Sequence, residues 1–134
     1  TAGCFSLRWE MAAAVAEYRP DPPEQAKLPR GRAPINLRLV PTPDLVAGCA
    51  AGKRPDQRIV GFALESAEAL ADRAGEKLRR KGLDAIVANP LSTMGAADID
   101  ASVYRAAGDP LHPGSMPKAH FARWLIEHLD ELTG

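Results

Sequence analysis

The succession strand, basic helix, strand, with only short joints between, limits what this chain can fold into more than any other feature. Arg-Ile-Val-Gly-Phe-Ala at 58–63 is a short apolar run rich in β-branched and aromatic residues, the mark of a buried strand. Ser66 follows as an N-cap, and Glu65, Glu68 and Asp72 put negative charge near a helix start, where the helix dipole favours it. Ala67, Leu70, Ala71, Ala74 and Leu78 recur at helical spacing and form one apolar stripe, so a helix is expected over 66–81. Gly82 ends it, because glycine takes the left-handed conformation of a helix C′ residue. Leu-Asp-Ala-Ile-Val-Ala at 83–88 is a second buried strand, stopped by Asn89 and Pro90. Such a unit closes as a right-handed crossover, which makes the two strands parallel.

The polar side of that helix needs its own account. Arg73, Lys77 and Lys81 lie four apart and stack on one flank, with Arg80 close by. Like charges at that spacing cost about 0.2–0.5 kcal/mol per pair. One explanation is local: the dipole favours cations in a last helical turn, and Glu76 can pair with Arg80. The other is a polyanion such as phosphate, held between the lysines and the strand ends, where open α/β sheets bind ligands.

At 134 residues the chain suits one domain, 1–134, with an ordinary core. Apolar residues at 46% and charged residues at 25% are globular values and indicate neither disorder nor a membrane span. With 17 basic and 17 acidic residues the net charge is zero, which argues against nucleic acid as a partner; any anion site must come from local clustering. Cys4 and Cys49 are too few and too far apart for a zinc site or a disulfide framework, which suits a reducing compartment. The apolar stretch 11–16 is too short for a secretory signal. The chain starts at Thr1 and runs at once into strand-like sequence, so it reads as the later part of a longer protein.

Residues 5–15 read as a strand ending in Met-Ala-Ala-Ala-Val, whose small side chains either admit a ligand to the backbone or pack closely under a helix. Residues 16–20 leave the sheet and open a connection to Pro34 that also holds Pro22, Pro23 and Pro29. Connections of that length are commonly functional or disordered. Lys27, Arg30 and Arg32 within it are either solvated charge or part of a flap, spanning about 15–34, that closes over an anionic ligand. Ile-Asn-Leu-Arg-Leu-Val at 35–40 alternates, as a strand with one wet face does. Thr42 as cap, Pro43 at the first helical position and Asp44 in the first turn start a short helix over 44–52, whose amino end can take a polar group. Further on come a loop over 89–100, a short strand at 101–105, a turn at Gly108-Asp109-Pro110 that can close a hairpin, and a last helix with Phe121, Trp124, Leu125, Leu129 and Leu132 on one face. His120 and His128 are eight apart, not the four of paired metal ligands, and His112 lies in a loop. No Ser-His-Asp arrangement, complete P-loop or internal repeat is visible. A dinucleotide-binding domain is disfavoured because no Gly-x-Gly-x-x-Gly follows a strand.

Taken in order, Ala-Ala-Ala-Val-Ala-Glu-Tyr-Arg-Pro at 12–20, Lys27, Pro-Asp-Leu-Val at 43–46, Gly-Phe-Ala-Leu-Glu at 61–65, Lys77, Lys81 and the run 84–89 make a pattern. It resembles the synthetase domain of bacterial phosphopantothenoylcysteine synthetases, over residues 11–134. The resemblance implies a Rossmann-like three-layer α/β/α fold, with a mainly parallel sheet and an added antiparallel hairpin. It also implies a cytoplasmic CTP-dependent ligase of coenzyme A biosynthesis. Its substrates would be 4′-phosphopantothenate and cysteine, joined through an acyl-cytidylate with release of pyrophosphate, and Mg2+ would accompany CTP. FMN belongs only to a decarboxylase that is often fused to such domains and has no counterpart here. A homodimer formed through extra strands is implied as well, and neither nucleic acid nor membrane.

The nucleotide-binding residues carried over are Met11, Ala12 and Ala13 together with Pro43, Asp44, Leu45 and Val46, which present backbone to the cytidine. Phe62 contacts the nucleotide, Lys77 and Lys81 hold the triphosphate, and Lys27 on the flap is the catalytic cation. Glu17 stands where the family has an aspartate, and Leu28, Pro29 and Arg30 depart from the flap's Lys-x-Lys-Lys signature. The resemblance names no metal ligand. The family's first half, with its glycine-rich segment and the asparagine that holds the acyl intermediate, has no counterpart, so the chain is expected to be the carboxy-terminal half, with an upstream half or a decarboxylase as possible partner. The chemistry suits the residue types, since lysines and a metal can neutralise an α-phosphate and a departing pyrophosphate without proton transfer. The alternative is a catalytically silent α/β binding or dimerisation module.

Overall fold

The computed structural model describes residues 8–10, 16–22, 30–31 and 34–134. In chain order the elements are β1 (Arg8–Glu10), β2 (Tyr18–Pro20), β3 (Leu39–Pro41), α1 (Leu45–Ala51), β4 (Arg58–Glu65), α2 (Leu70–Lys81), β5 (Ala85–Pro90), β6 (Asp98–Ile99), β7 (Ser102–Arg105), β8 (Met116–Pro117), α3 (Lys118–Glu127) and α4 (Leu129–Thr133). By contact the chain divides into two compact units, residues 1–12 with 46–134, and residues 13–45.

In the first unit four strands lie in the order β1-β4-β5-β7. β1, β4 and β5 run parallel and β7 closes the edge antiparallel, so the crossover read from the sequence is present, with β4 and β5 as direct neighbours. Successive residues of a strand point to opposite faces, and each face of this sheet buries its own core. Val60, Ala85, Val87 and Val103 pack with Phe121, Leu125, Leu129 and Leu132 of the last two helices. Ile59, Ala63, Ile86 and Ala88 pack with Ala74 and Leu78 of α2 and with Leu83, and Val46 and Ala50 of α1 lie against them. Helices on both faces of a mainly parallel sheet make the three-layer α/β/α fold. Gly61 is needed on the α2 face, because a Cβ there would come 2.6 Å from Leu83 Cδ1. A small hairpin follows β7, where Val103 and Leu111 exchange two backbone hydrogen bonds of 2.9 Å.

Charge fixes the amino edge of the sheet. One carboxylate oxygen of Asp84 accepts the Ile59 N–H at 2.8 Å and Lys53 Nζ at 2.7 Å. The Asp84 N–H donates to Ile59 O at 3.0 Å and its carbonyl accepts the Ala106 N–H at 2.8 Å. Asp84 therefore clamps β4, β5, the strand that follows them and the exit of α1. At the end of α2, Gly82 is left-handed at φ 64°, and the Gly82 and Leu83 N–H groups satisfy Arg79 O and Leu78 O.

Several boundaries differ from those expected. β4 runs two residues past Ala63 to Glu65, and the Ala69 N–H is tied to Ser66 O at 3.2 Å, so α2 starts at Leu70 with no side-chain cap and Ser66 belongs to the preceding turn. Arg73 rather than Arg80 pairs with Glu76, at 3.6 Å. The loop over 89–100 holds one turn of 3₁₀ helix, Leu91–Thr93, and β6, which pairs with β8. The final helix is interrupted at His128, whose Nδ1 donates to Trp124 O at 2.8 Å while its ring stacks on that indole. α1 covers most of 44–52 but starts two residues after Pro43.

Within the second unit, residues 16–20 do not simply leave a sheet. Tyr18, Arg19 and Pro20 pair antiparallel with Pro41, Val40 and Leu39. Backbone bonding continues one pair beyond each end, Asp21 N–H to Arg38 O at 3.0 Å and Thr42 N–H to Glu17 O at 2.8 Å, and Pro20 and Pro41 sit at the alternate positions that donate nothing across the ribbon; only the end of the expected strand 35–40 is regular. Of the strand expected over 5–15, Arg8–Glu10 is observed; 5–7, 11–15 and, in the flap, 23–29 and 32–33 lie outside the described residues. No helix among the described residues is long and apolar enough to cross a membrane.

Replacing Asp84 by Ala strands the Ile59 N–H and Lys53 together. We expect a stability loss of about 1.5–3 kcal/mol, the range for hydrogen bonds to charged groups. Urea unfolding checks this, and a loss below about 0.5 kcal/mol, within surface noise, would mean that the strands hold their register without the clamp.

Candidate functional site

Ligands of open α/β sheets sit beyond the carboxyl ends of the strands. That edge is formed here by the paired positions Leu64 and Asn89, then Glu65 and Pro90. By alternation Phe62 and Leu64 share the face of Val60, but the cluster built on α3 and α4 reaches only the amino half of that face. Phe62 is therefore 43% exposed and Leu64 39%. Phe62 stands opposite Val87, one pleat from Asn89. The Asn89 carboxamide oxygen is the one buried side-chain polar atom among the described residues that lacks a hydrogen-bond partner. An acceptor left in that state costs about 1–3 kcal/mol.

On the opposite face Lys77 of α2 reaches back to the end of β4, with Nζ 2.5 Å from Glu65 Oε1. Side chains on a helix lean toward its amino end, and in this crossover the amino end of α2 lies at the carboxyl edge of the sheet. The geometry thus brings Lys77, Glu65, Phe62 and Asn89 to one edge. Lys81 is four residues further along, half-buried in the last turn, at the end of the helix that leads into the amino end of β5.

The other residues singled out from sequence are placed as follows. Val46 packs beside Ala50 against the α2 core. Glu17, Pro43, Asp44 and Leu45 belong to the second unit, where Glu17 O accepts the Thr42 N–H at 2.8 Å. Met11, Ala12, Ala13 and Lys27 lie outside the described residues. The sequence places Glu65 near the helix start and in the family pattern at 61–65 but gives it no role in the site. The signal that could have placed it better was its position as the last residue of an apolar strand, followed twelve residues later by a lysine on the crossover helix.

Two other places in the first unit carry polar groups. A cavity of about 210 Å³ is lined by Gly48, Cys49, Gly52, Lys53, Gln57 and Ile59, with Arg58, at the amino edge. Its cations are already engaged, Lys53 by Asp84 and Arg58 by the carbonyls of Thr133 at 2.9 Å and Pro55 at 2.7 Å. Lys77 is engaged by Glu65 to the same degree, so the carboxyl edge is the better site on its exposed Phe62 and Leu64 and on the unpartnered Asn89 oxygen. Ser102 Oγ lies 2.8 Å from His112 Nδ1; the pair is exposed, and among the described residues no carboxylate holds the other ring nitrogen, so it ties two strands of a hairpin.

The fold defines a Rossmann-like α/β protein, with an exposed phenylalanine, an unpartnered carboxamide oxygen and a lysine–glutamate pair at the carboxyl ends of its parallel strands. The chain belongs to the family of the DNA/pantothenate metabolism flavoprotein C-terminal domain, whose model matches residues 9–132. It is 40% identical over 101 residues to the coenzyme A biosynthesis bifunctional protein CoaBC of Mycobacterium tuberculosis, which covers 69% of this chain and 24% of that protein. It is also 41% identical over 86 residues to a cysteine/cysteine sulfinic acid decarboxylase from an unknown prokaryotic organism, covering 64% of this chain and 24% of that one. The chain thus spans about a quarter of the length of these relatives. The crystal structure of the C-terminal domain of a CoaBC superposes with a TM-score of 0.66 at 26% identity, over 90% of this chain and 51% of the other. The DNA/pantothenate metabolism flavoprotein from Streptococcus pneumoniae shares the fold with a TM-score of 0.71 at 20% identity, over 92% of this chain and 62% of that one.

If Phe62 serves a ligand rather than the core, Phe62→Ser should cost about 1 kcal/mol or less, whereas Ile86→Ala, fully buried between the same strands, should cost about 2–5 kcal/mol. Thermal melts of the two variants compare them directly; equal losses would return Phe62 to the core.

Proposed function

We propose that this chain is the nucleotide-binding part of a cytoplasmic CTP-dependent ligase that joins 4′-phosphopantothenate to cysteine in coenzyme A biosynthesis. Family membership supports the biosynthetic setting. The observation that carries the reading is the ammonium of Lys77, delivered to the carboxyl end of β4 on the edge that carries the exposed Phe62. A cation fixed at that edge can neutralise a phosphate, while the open aromatic face can take a base or ribose. In this reading CTP activates the pantothenate carboxylate as an acyl-cytidylate, pyrophosphate leaves, and the amine of cysteine displaces CMP. Lys77 and Lys81 hold the triphosphate. Lys27 closes over it from the flap and excludes water that would hydrolyse the mixed anhydride. The family resemblance adds Met11 to Ala13, Glu17 and Pro43 to Val46 as residues for the nucleotide.

Mg2+ suits this arrangement because it needs one or two carboxylates and takes its other ligands from phosphates and water. It supplies charge neutralisation at the phosphates. Any FMN would belong to a fused decarboxylase. The second unit leaves Tyr18, Ile35, Leu37 and Leu39 each more than half exposed, an apolar surface that suits a homodimer.

A second reading, a silent binding or dimerisation module, draws on the same contact: the charge of Lys77 is already cancelled by Glu65. Titration calorimetry with CTP and Mg2+ separates the two. Lys77→Ala should weaken binding by about 1.5–3 kcal/mol and stability by about 1 kcal/mol or less, the range of a partly exposed ion pair. Wild type and variant with equal affinity, or neither with any, would favour the silent module.

A further inference from the structure

We propose that Glu65 is the protein carboxylate that shares the divalent cation brought in with the triphosphate, and that it holds Lys77 in place until that cation arrives. The inference rests on the nucleotide reading above. Glu65 is the last residue of β4, and its carboxylate and the Lys77 ammonium are in direct contact. The two side chains are 21% and 27% exposed, withdrawn from water enough for the contact to be firm yet open enough for a ligand to reach both. The contact does opposite things for an anionic ligand. It places the ammonium at the carboxyl edge, and it sets a negative charge beside the point where phosphate oxygens must go.

A carboxylate and a phosphate competing for one lysine repel each other. A divalent cation between them turns that repulsion into attraction. Mg2+ can do so from a single side chain, because it keeps several waters and uses substrate phosphates as ligands instead of a cage of protein groups. The described residues contain no group of three or more His, Cys, Asp or Glu that could hold a metal ion, so a site shared with the ligand fits where a preformed cage does not. Of the other carboxylates of this unit near the helix, Glu68 just before α2 and Asp72 in its first turn are exposed and hold no lysine among the described residues, Glu76 pairs with Arg73, and Asp84 lies at the far end of the strands with Lys53 and the Ile59 N–H; Glu65 is the one in contact with Lys77 at the edge.

Glu65→Gln tests this, since the amide keeps the shape and an oxygen for Lys77 but loses the charge. Affinity for CTP is measured by calorimetry with and without Mg2+ on wild type, Glu65→Gln and Lys77→Ala, and Mn2+ is titrated into each CTP complex by electron paramagnetic resonance. In wild type Mg2+ should tighten CTP binding by a factor between about 5 and 150, the usual range of coupling between two ligands. In Glu65→Gln metal-free CTP should bind more tightly than to wild type, and the metal effect should shrink to about twofold. Mn2+ should bind the wild-type CTP complex more tightly than CTP alone, a comparison that needs no variant. An undiminished metal effect in Glu65→Gln, or Mn2+ bound no better by the complex than by CTP, overturns the role of Glu65 while leaving the nucleotide site standing. Absence of CTP binding by wild type overturns both.

Discussion

The structure depends on a single carboxylate at the amino edge of the sheet. Asp84 accepts the backbone N–H of Ile59 and the ammonium of Lys53 through one oxygen, while its own backbone N–H is bonded to Ile59 O. This sets Val60 against Ala85, and the parallel register then carries the pairing to Leu64 with Asn89 and Glu65 with Pro90. A slip by one residue would turn Phe62 and Glu65 to each other's faces. The positions of the groups at the carboxyl edge are thus set from the opposite end of the strands, where Ile59 and Asp84 meet.

The two edges differ in what they leave unsatisfied. At the amino edge the charges are matched: Lys53 with Asp84, and Arg58 with three backbone carbonyls. At the carboxyl edge Lys77 is likewise matched by Glu65, but two large apolar side chains are open to water and a carboxamide oxygen is buried without a partner. Structural needs alone would favour covering the first and pairing the second. Costs that a fold does not relieve from within collect where something else is to be bound.

Much of this was legible in the sequence, and the physical reason differs from element to element. The crossover from β4 to β5 could be read because buried strands are continuous apolar runs and because Gly82 marks a helix end by its own conformational freedom. Lys77 could be singled out because like charges at helical spacing need a reason. The partner of Lys77 was hidden, since Glu65 is close to it only once the helix has folded back over the strand. Ser66 misled because it carries the chemistry of a cap, but β4 runs on to Glu65 and the Ser66 carbonyl is used in the turn that follows. The pairing of Tyr18–Pro20 with Leu39–Pro41 was obscured by the prolines, which read as breakers although they sit where no N–H is needed across the ribbon. Asp84 looked like an ordinary strand residue, since a hydrogen bond to a backbone N–H twenty-five positions earlier leaves no local trace.

The central claim is that a nucleotide binds the carboxyl edge of this sheet, and backbone amide shifts recorded while CTP and Mg2+ are titrated into the isotopically labelled chain test it most directly. The account predicts saturable shifts concentrated on Phe62, Leu64, Glu65, Lys77 and Asn89, with Gly48, Gly52, Ile59 and Asp84 unmoved. Shifts centred on Gly48, Gly52 and Ile59 would contradict it by placing the ligand in the amino-edge cavity, and the absence of any saturable shift would contradict it altogether.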